Sequence, residues 1–143
     1  MVVRRDNQRP IGVVNFKKID ESAGTAEAGK LLGDRRSRGK GMAKESFGAW
    51  LLYGFGSLGL RQIVVRTRAD NSANIHLNRK LGFELEKRYQ QEAADGTEQI
   101  FVTMTIDRMT VDRRDYFRSV DCQGYFASSV DRNKSQTGGG NGQ

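Results

Sequence analysis

Residues 33–43, GDRRSRGKGMA, stop one regular element and oblige another to begin. The run before them, Thr25 to Leu32 (TAEAGKLL), is strand-like, and from Met42 to Leu58 apolar residues return at helical spacing. Ala43, Phe47, Leu51 and Leu58 share one side of that helix, and Trp50 and Phe55 widen the stripe. A glycine-rich turn that leads from a strand into a helix points backbone N–H groups at one spot. The helix N-terminus adds about half a positive charge at the same place. Arg35, Arg36, Arg38, Lys40 and Lys44 crowd the turn. The chain is therefore expected to mix α and β elements around a phosphate-sized anion site.

The remaining elements fit an α/β (α+β) chain. Ile11 to Ile19 reads as a strand closed by a turn at Asp20 to Gly24, and Arg61 to Arg68 as a short buried strand. Asp70, Asn71 and Ser72 offer N-caps for a helix that ends at Leu81, with Gly82 as its stop. Two strands, Phe83 to Gln90 and Gln99 to Ile106, flank the turn signal Asp95-Gly96 and are expected to pair antiparallel. Gly48, Gly54 and Gly56 weaken the first helix, and Gly59 reads as its stop. A short helix is expected around Asp112 to Val120. Residues 1–125 form one domain in this reading, and residues 126–143, polar and ending in GGGNGQ, form a flexible tail.

Bulk properties exclude several classes. The 143 residues are 36% hydrophobic and 29% charged, and no apolar run approaches the roughly 20 residues of a membrane helix. The opening MVVRRDNQRP lacks the apolar core of a signal peptide, so a cytoplasmic setting is expected. One cysteine, Cys122, permits neither an internal disulfide nor a cysteine-built metal site, and with no histidine near it in sequence it is a poor nucleophile candidate. The net charge of +7 asks for an anionic partner: nucleic acid, lipid or a phosphorylated cofactor. Nucleic acid is disfavoured, because no interleaved aromatic and basic surface motif accompanies the charge.

Three phosphate-binding templates can be laid on the turn. A Walker A loop fails, since five residues separate Gly33 from Gly39 and Gly41 follows Lys40. A dinucleotide fingerprint starting at Gly39 and Gly41 meets Lys44 where its third glycine belongs. The third pattern, Arg/Gln-x-x-Gly-x-Gly/Ala, is met by Arg38, Gly41 and Ala43. It resembles the coenzyme A pyrophosphate loop of the GNAT superfamily of N-acyltransferases. Residues 70–83, DNSANIHLNRKLGF, also resemble the GNAT signature N-x-x-A-I-x-L-Y-x-K-L-G-F, at Asn71, Ile75, Leu77, Lys80, Leu81, Gly82 and Phe83. The likeness spans residues 11–106 and is nearest the branch of ribosomal-protein, spermidine and nucleotide-amino-sugar N-acetyltransferases.

The resemblance implies a mixed central sheet splayed in the middle, with acetyl-CoA in the gap and flanking helices. On this reading Leu31, Leu32 and Gly33 offer backbone groups to pantetheine, and Arg38, Gly39, Lys40, Gly41, Met42 and Ala43 hold pyrophosphate. Asn71 faces the pantetheine arm, or is a plain N-cap. Lys80 reaches the adenosine phosphates, or is a solvated helix lysine. In several relatives a glutamate on the strand before the loop deprotonates the acceptor, and Glu27 occupies that place; the alternative is a strand glutamate paired with a nearby cation. His76, the single histidine, is assigned packing or surface.

Two departures from the pattern bear on activity. GNAT chains usually open with a strand and two helices that wall the acceptor side, and only about ten residues precede Ile11 here, so the fold is expected to be N-terminally shortened. An apolar edge left by that shortening leads us to expect a homodimer or larger homo-oligomer. The signature's tyrosine, commonly the general acid toward the CoA thiolate, is Asn78 here. A neutral amide cannot perform that protonation. Acetyl transfer to a primary amine, most readily a small molecule, by direct attack on the thioester is the leading expectation, and a catalytically impaired CoA-binding module is the alternative.

Overall fold

A computed structural model describes residues 1–118. Six strands form one sheet: β1 (Val2–Val3), β2 (Pro10–Asp20), β3 (Thr25–Leu32), β4 (Gln62–Arg68), β5 (Glu84–Glu92) and β6 (Glu98–Asp107). Their spatial order is β1-β2-β3-β4-β6-β5. Every neighbouring pair is antiparallel except β3 and β4, which run parallel. The helices are α1 (Met42–Gly56), α2 (Ser72–Leu81), α3 (Arg108–Arg113) and α4 (Asp115–Arg118), with a single 3-10 turn at Arg35–Ser37. The mixed α/β architecture expected from the sequence is present.

The parallel pair is the fold's central irregularity. β3 pairs with β4 only from Thr25 to Ala28, against Gln62 to Val65. On its other edge β3 stays paired with β2 through Leu31 and Leu32. From Gly29 to Leu32 the β4-facing edge of β3 therefore has no strand beside it, and the sheet splays.

The strand period of two sends Ala26, Ala28, Ile63, Val65, Met104 and Ile106 to one face, where all are buried. Phe47, Leu51 and Phe55 of α1, with Leu81 and Phe83 at the end of α2, complete that core. Burying side chains of this size contributes about 1.5–3 kcal/mol each. The helix approaches closely because Gly54 has no side chain: a Cβ there would lie 2.6 Å from Phe16 Cζ. Phe16 instead stacks on Trp50, with centroids 4.8 Å apart.

Several boundaries differ from the sequence reading. β1 was not anticipated, since two valines carry no periodicity. α1 stops at Gly56 rather than Leu58; Leu60 turns back to donate its N–H to the Gly54 carbonyl at 3.0 Å, and Leu58 leaves the apolar stripe, 41% exposed. Gly59, at φ +65°, lies in the turn that follows, not at the stop itself. The helix expected around 112–120 begins earlier and is broken in two: Asp107 accepts the Thr110 N–H at 2.8 Å to start α3, and extended Arg114 separates it from α4. The remainder of that segment, Cys122 and the expected tail at 126–143 lie outside the described residues. Gly82 does end α2, at φ +110°, and Gly96, at φ +81°, sits in the turn of the β5–β6 hairpin. Among the described residues, no helix is long and apolar enough to cross a membrane.

Candidate active site

The turn after β3 is held by its own side chains before any ligand arrives. Asp34 accepts the Arg36 N–H at 3.1 Å and the Ser37 hydroxyl at 2.9 Å, and Ser37 is fully buried. Those hydrogen bonds, Ser37's first, hold the Asp34 carboxyl below its ordinary range. The Arg38 guanidinium lies back over the Leu32 carbonyl, 3.3 Å away. Gly39 and Gly41 both take left-handed φ, +75° and +76°, which suits residues without a Cβ. Gly41 is the N-cap of α1 and supplies no side-chain cap, so the first turn's amides keep their positive end open toward the loop. On the far side of that turn, the Tyr116 hydroxyl donates to the Lys44 carbonyl at 3.1 Å.

A cleft of about 630 Å³ opens at this helix end and runs down into the splay. Leu31, Leu32, Arg38, Gly39, Gly41, Met42, Ala43, Asn71 and Lys80 all line it, so the structure brings together most of the residues singled out from sequence. Its other charged walls are Lys30 and Lys44, and among the described residues no carboxylate lines it. The cleft is a concave cationic surface with an uncapped helix end at its mouth. That chemistry fits a polyanionic cofactor such as coenzyme A, whose pyrophosphate needs amides and whose pantetheine needs a strand edge.

Two expected residues lie elsewhere. Gly33 gives its N–H to the Ile11 carbonyl at 2.9 Å and does not line the cleft, and Lys40 stands exposed at the loop tip. Asn71 lines the cleft and also caps α2, accepting the Asn74 N–H at 3.2 Å. His76 is exposed on the cleft wall.

Glu27 belongs to a second cleft, about 480 Å³, on the sheet face opposite the described helices. Asn15, Lys17 and Arg66 share it, while Val13, Lys30, Leu31 and Asn74 line both clefts. Lys18 Nζ lies 2.9 Å from the Glu27 carboxylate and Arg66 4.0 Å. Burial pushes the Glu27 carboxyl up, but the Lys18 hydrogen bond and the charges of Arg66, Lys18 and Lys17 together carry it below its ordinary value. It is an ionised carboxylate in a cationic setting.

Lys30 escaped the sequence reading. It follows Ala26 and Ala28 in the strand's period, which carries it onto the apolar face; that alternation was the available signal. Its Nζ donates to Asn78 Oδ1 at 2.5 Å and sits 4.1 Å from the Phe47 ring centroid. Asn78, at the signature's tyrosine position, is fully buried, with its Nδ2 3.8 Å from the Met104 sulfur.

The model of the acetyltransferase (GNAT) domain family matches residues 1–84. An uncharacterised N-acetyltransferase, p20, of Bacillus licheniformis is 35% identical over 85 residues, 59% of this chain and 47% of that protein. A spermidine N-acetyltransferase mutant from Vibrio cholerae superposes with a TM-score of 0.68 at 27% identity, over 74% of this chain and 62% of the other. A dodecameric structure of the Vibrio cholerae spermidine enzyme superposes with a TM-score of 0.69 at 26% identity, over 76% and 63%. The chain thus spans about half the length of that curated relative, 47%.

Proposed function

The chain belongs to the GNAT acetyltransferase family, and on that basis we propose that it transfers the acetyl group of acetyl-CoA to a primary amine by direct attack on the thioester. The observation that carries this reading is the cationic cleft, free of carboxylates among the described residues, that runs from the uncapped start of α1 to the splay beside β3. Acetyl-CoA, when bound, supplies an acyl group already activated as a thioester. The amides of Gly41, Met42 and Ala43 with the Arg38 guanidinium hold pyrophosphate, and Gly39 keeps the loop clear of side-chain bulk. Lys80 and, at the loop tip, Lys40 add charge toward the phosphates. Leu31 and Leu32 present the open strand edge to pantetheine, and Asn71 closes the arm from α2.

The acceptor enters from the second cleft, where Glu27 is the single lining carboxylate among the described residues. Its lowered proton affinity makes it a good partner for an ammonium and a weak direct base, so it acts through water, holding the amine while a proton leaves toward solvent. A small cationic amine fits this arrangement, and the spermidine enzymes among the structural relatives support the same class. Self-association is part of the proposal. Val13 and Leu31 face each other in register on the face opposite the described helices, 47% and 66% exposed, and one relative's structure is dodecameric. Light scattering that returns a monomer at micromolar concentration rejects the self-association.

Thiol release from acetyl-CoA over a panel of primary amines led by spermidine tests the reading, with CoA affinity measured in parallel by calorimetry. Turnover with at least one amine is expected. Binding without turnover supports the impaired CoA-binding module instead, and absence of CoA binding rejects both.

A further inference from the structure

A proton must reach the leaving sulfur, and Asn78 cannot supply it: the amide is neutral, fully buried and absent from the walls of both clefts. Lys30 stands between Asn78 and the cleft. It lies on the stretch of β3 that has no β4 partner, lines both clefts, and makes no ion pair with a carboxylate among the described residues. The ammonium is held by a hydrogen bond from below and an aromatic face beside it, which together fix its position and leave further N–H donors for the cleft. We propose that Lys30, positioned by Asn78, is the catalytic acid that protonates the departing CoA sulfur. This inference rests on the acetyltransferase reading above and adds a residue and a step to it.

The step balances without a further reactant. The acceptor's ammonium gives one proton to solvent through the Glu27 side, and its nitrogen forms the bond to the acyl carbon. As the C–S bond breaks, its electron pair goes to sulfur, which takes a proton from the Lys30 ammonium. The second proton lost from the acceptor nitrogen returns Lys30 to its starting form. Burial supports the assignment by pushing the Lys30 ammonium down to about 7. A cysteine thiol, the reference nearest to the pantetheine sulfur, has a pKa of about 8.5, so proton transfer from Lys30 runs downhill, as it would not from an ordinary lysine near 10.4. The charged and titratable groups that share the cleft are Arg38 from the loop, Lys44 from α1, and His76 and Lys80 from α2. Glu27, Lys17 and Arg66 share the lining of the second cleft with Lys30, while β6 offers Met104.

The test reads the ammonium directly. In protein carrying 13C-labelled lysine, the Lys30 Cε resonance, assigned by its loss in Lys30→Met, is titrated alone, with CoA, and with desulfo-CoA, which keeps pyrophosphate and pantetheine but lacks the sulfur. We expect a midpoint near 7 in the free protein and a response to CoA that desulfo-CoA does not reproduce. Equal responses from two ligands that both bind would overturn the sulfur contact while leaving the acetyltransferase reading intact. If neither ligand binds, that reading fails and this inference fails with it. In turnover, Lys30→Met and Lys30→Arg should each lose about a hundred-fold to ten-thousand-fold in kcat, with CoA affinity changed less than about threefold. Arginine keeps the charge but cannot give up its proton, so full activity in Lys30→Arg would overturn proton donation.

Discussion

At Gly41 the backbone takes φ +76°, and a Cβ built there meets no protein atom within 4 Å. A side chain at this position is thus opposed by its own backbone, by about 1–2 kcal/mol for a left-handed L-residue, rather than by a neighbour. It would also project where the first amides of α1 converge. Gly41→Ala should lower stability by about 1 kcal/mol and weaken CoA binding by about tenfold or more, measured by thermal melts and calorimetry. A folded variant with unchanged CoA affinity would reject the pyrophosphate assignment. This position was legible in the sequence because a left-handed turn selects its residue type, so the glycine itself carries the information. Lys30 was not legible in the same way. Its role depends on Phe47 beside it and on Asn78, far along the chain, beneath it, and no local pattern announces a tertiary partner.

Elements were legible where burial imposes a period and illegible where a contact decides their ends. β2, β3, β4 and α2 appear close to where alternation, caps and Gly82 put them. α1 shows the limit: its apolar spacing continues to Leu58, but the helix closes on Gly54 and Gly56 as the chain turns toward β4. The start of α3 was readable in principle, since Asp107 stands three residues before Thr110 in the spacing of an N-cap. Gly54 also sets how near α1 lies to the sheet. Gly54→Ala would raise helix propensity, yet its Cβ would stand 2.6 Å from Phe16 Cζ and 3.1 Å from Ile63 Cδ1. Overpacking of this kind costs about 1–3 kcal/mol, more than the roughly 1 kcal/mol gained from replacing a helical glycine. A lowered melting temperature with CoA affinity retained is the expected result. A raised one would mean that Phe16 and Trp50 shift aside freely and that the glycine does not set the spacing.

For the whole molecule, the decisive feature is that β3 and β4 part after Ala28, because the gap lets a cleft on the helical face meet one on the opposite face. Composition and strand periodicity could not show how far that pairing runs. The same gap leaves a lysine part-buried without an ion pair among the described residues, and its titration couples the site to global stability. An unfolded lysine keeps its proton until about 10.4, whereas folded Lys30 releases it at about 7. Between those values the unfolded chain binds more protons, so the Lys30 contribution to stability rises with pH across this window. Below it both states are protonated and the burial penalty is constant and full. Denaturant unfolding of wild type and Lys30→Met from pH 6 to 10 isolates the effect, because titrations shared by the two proteins cancel in the difference. Wild type should gain on the variant as pH rises from about 7 and show no trend between the two below it. A difference that stays flat across the range would mean that folded Lys30 keeps an ordinary affinity for its proton. The ammonium would then be too weak an acid for the sulfur, and catalysis would need its proton from solvent.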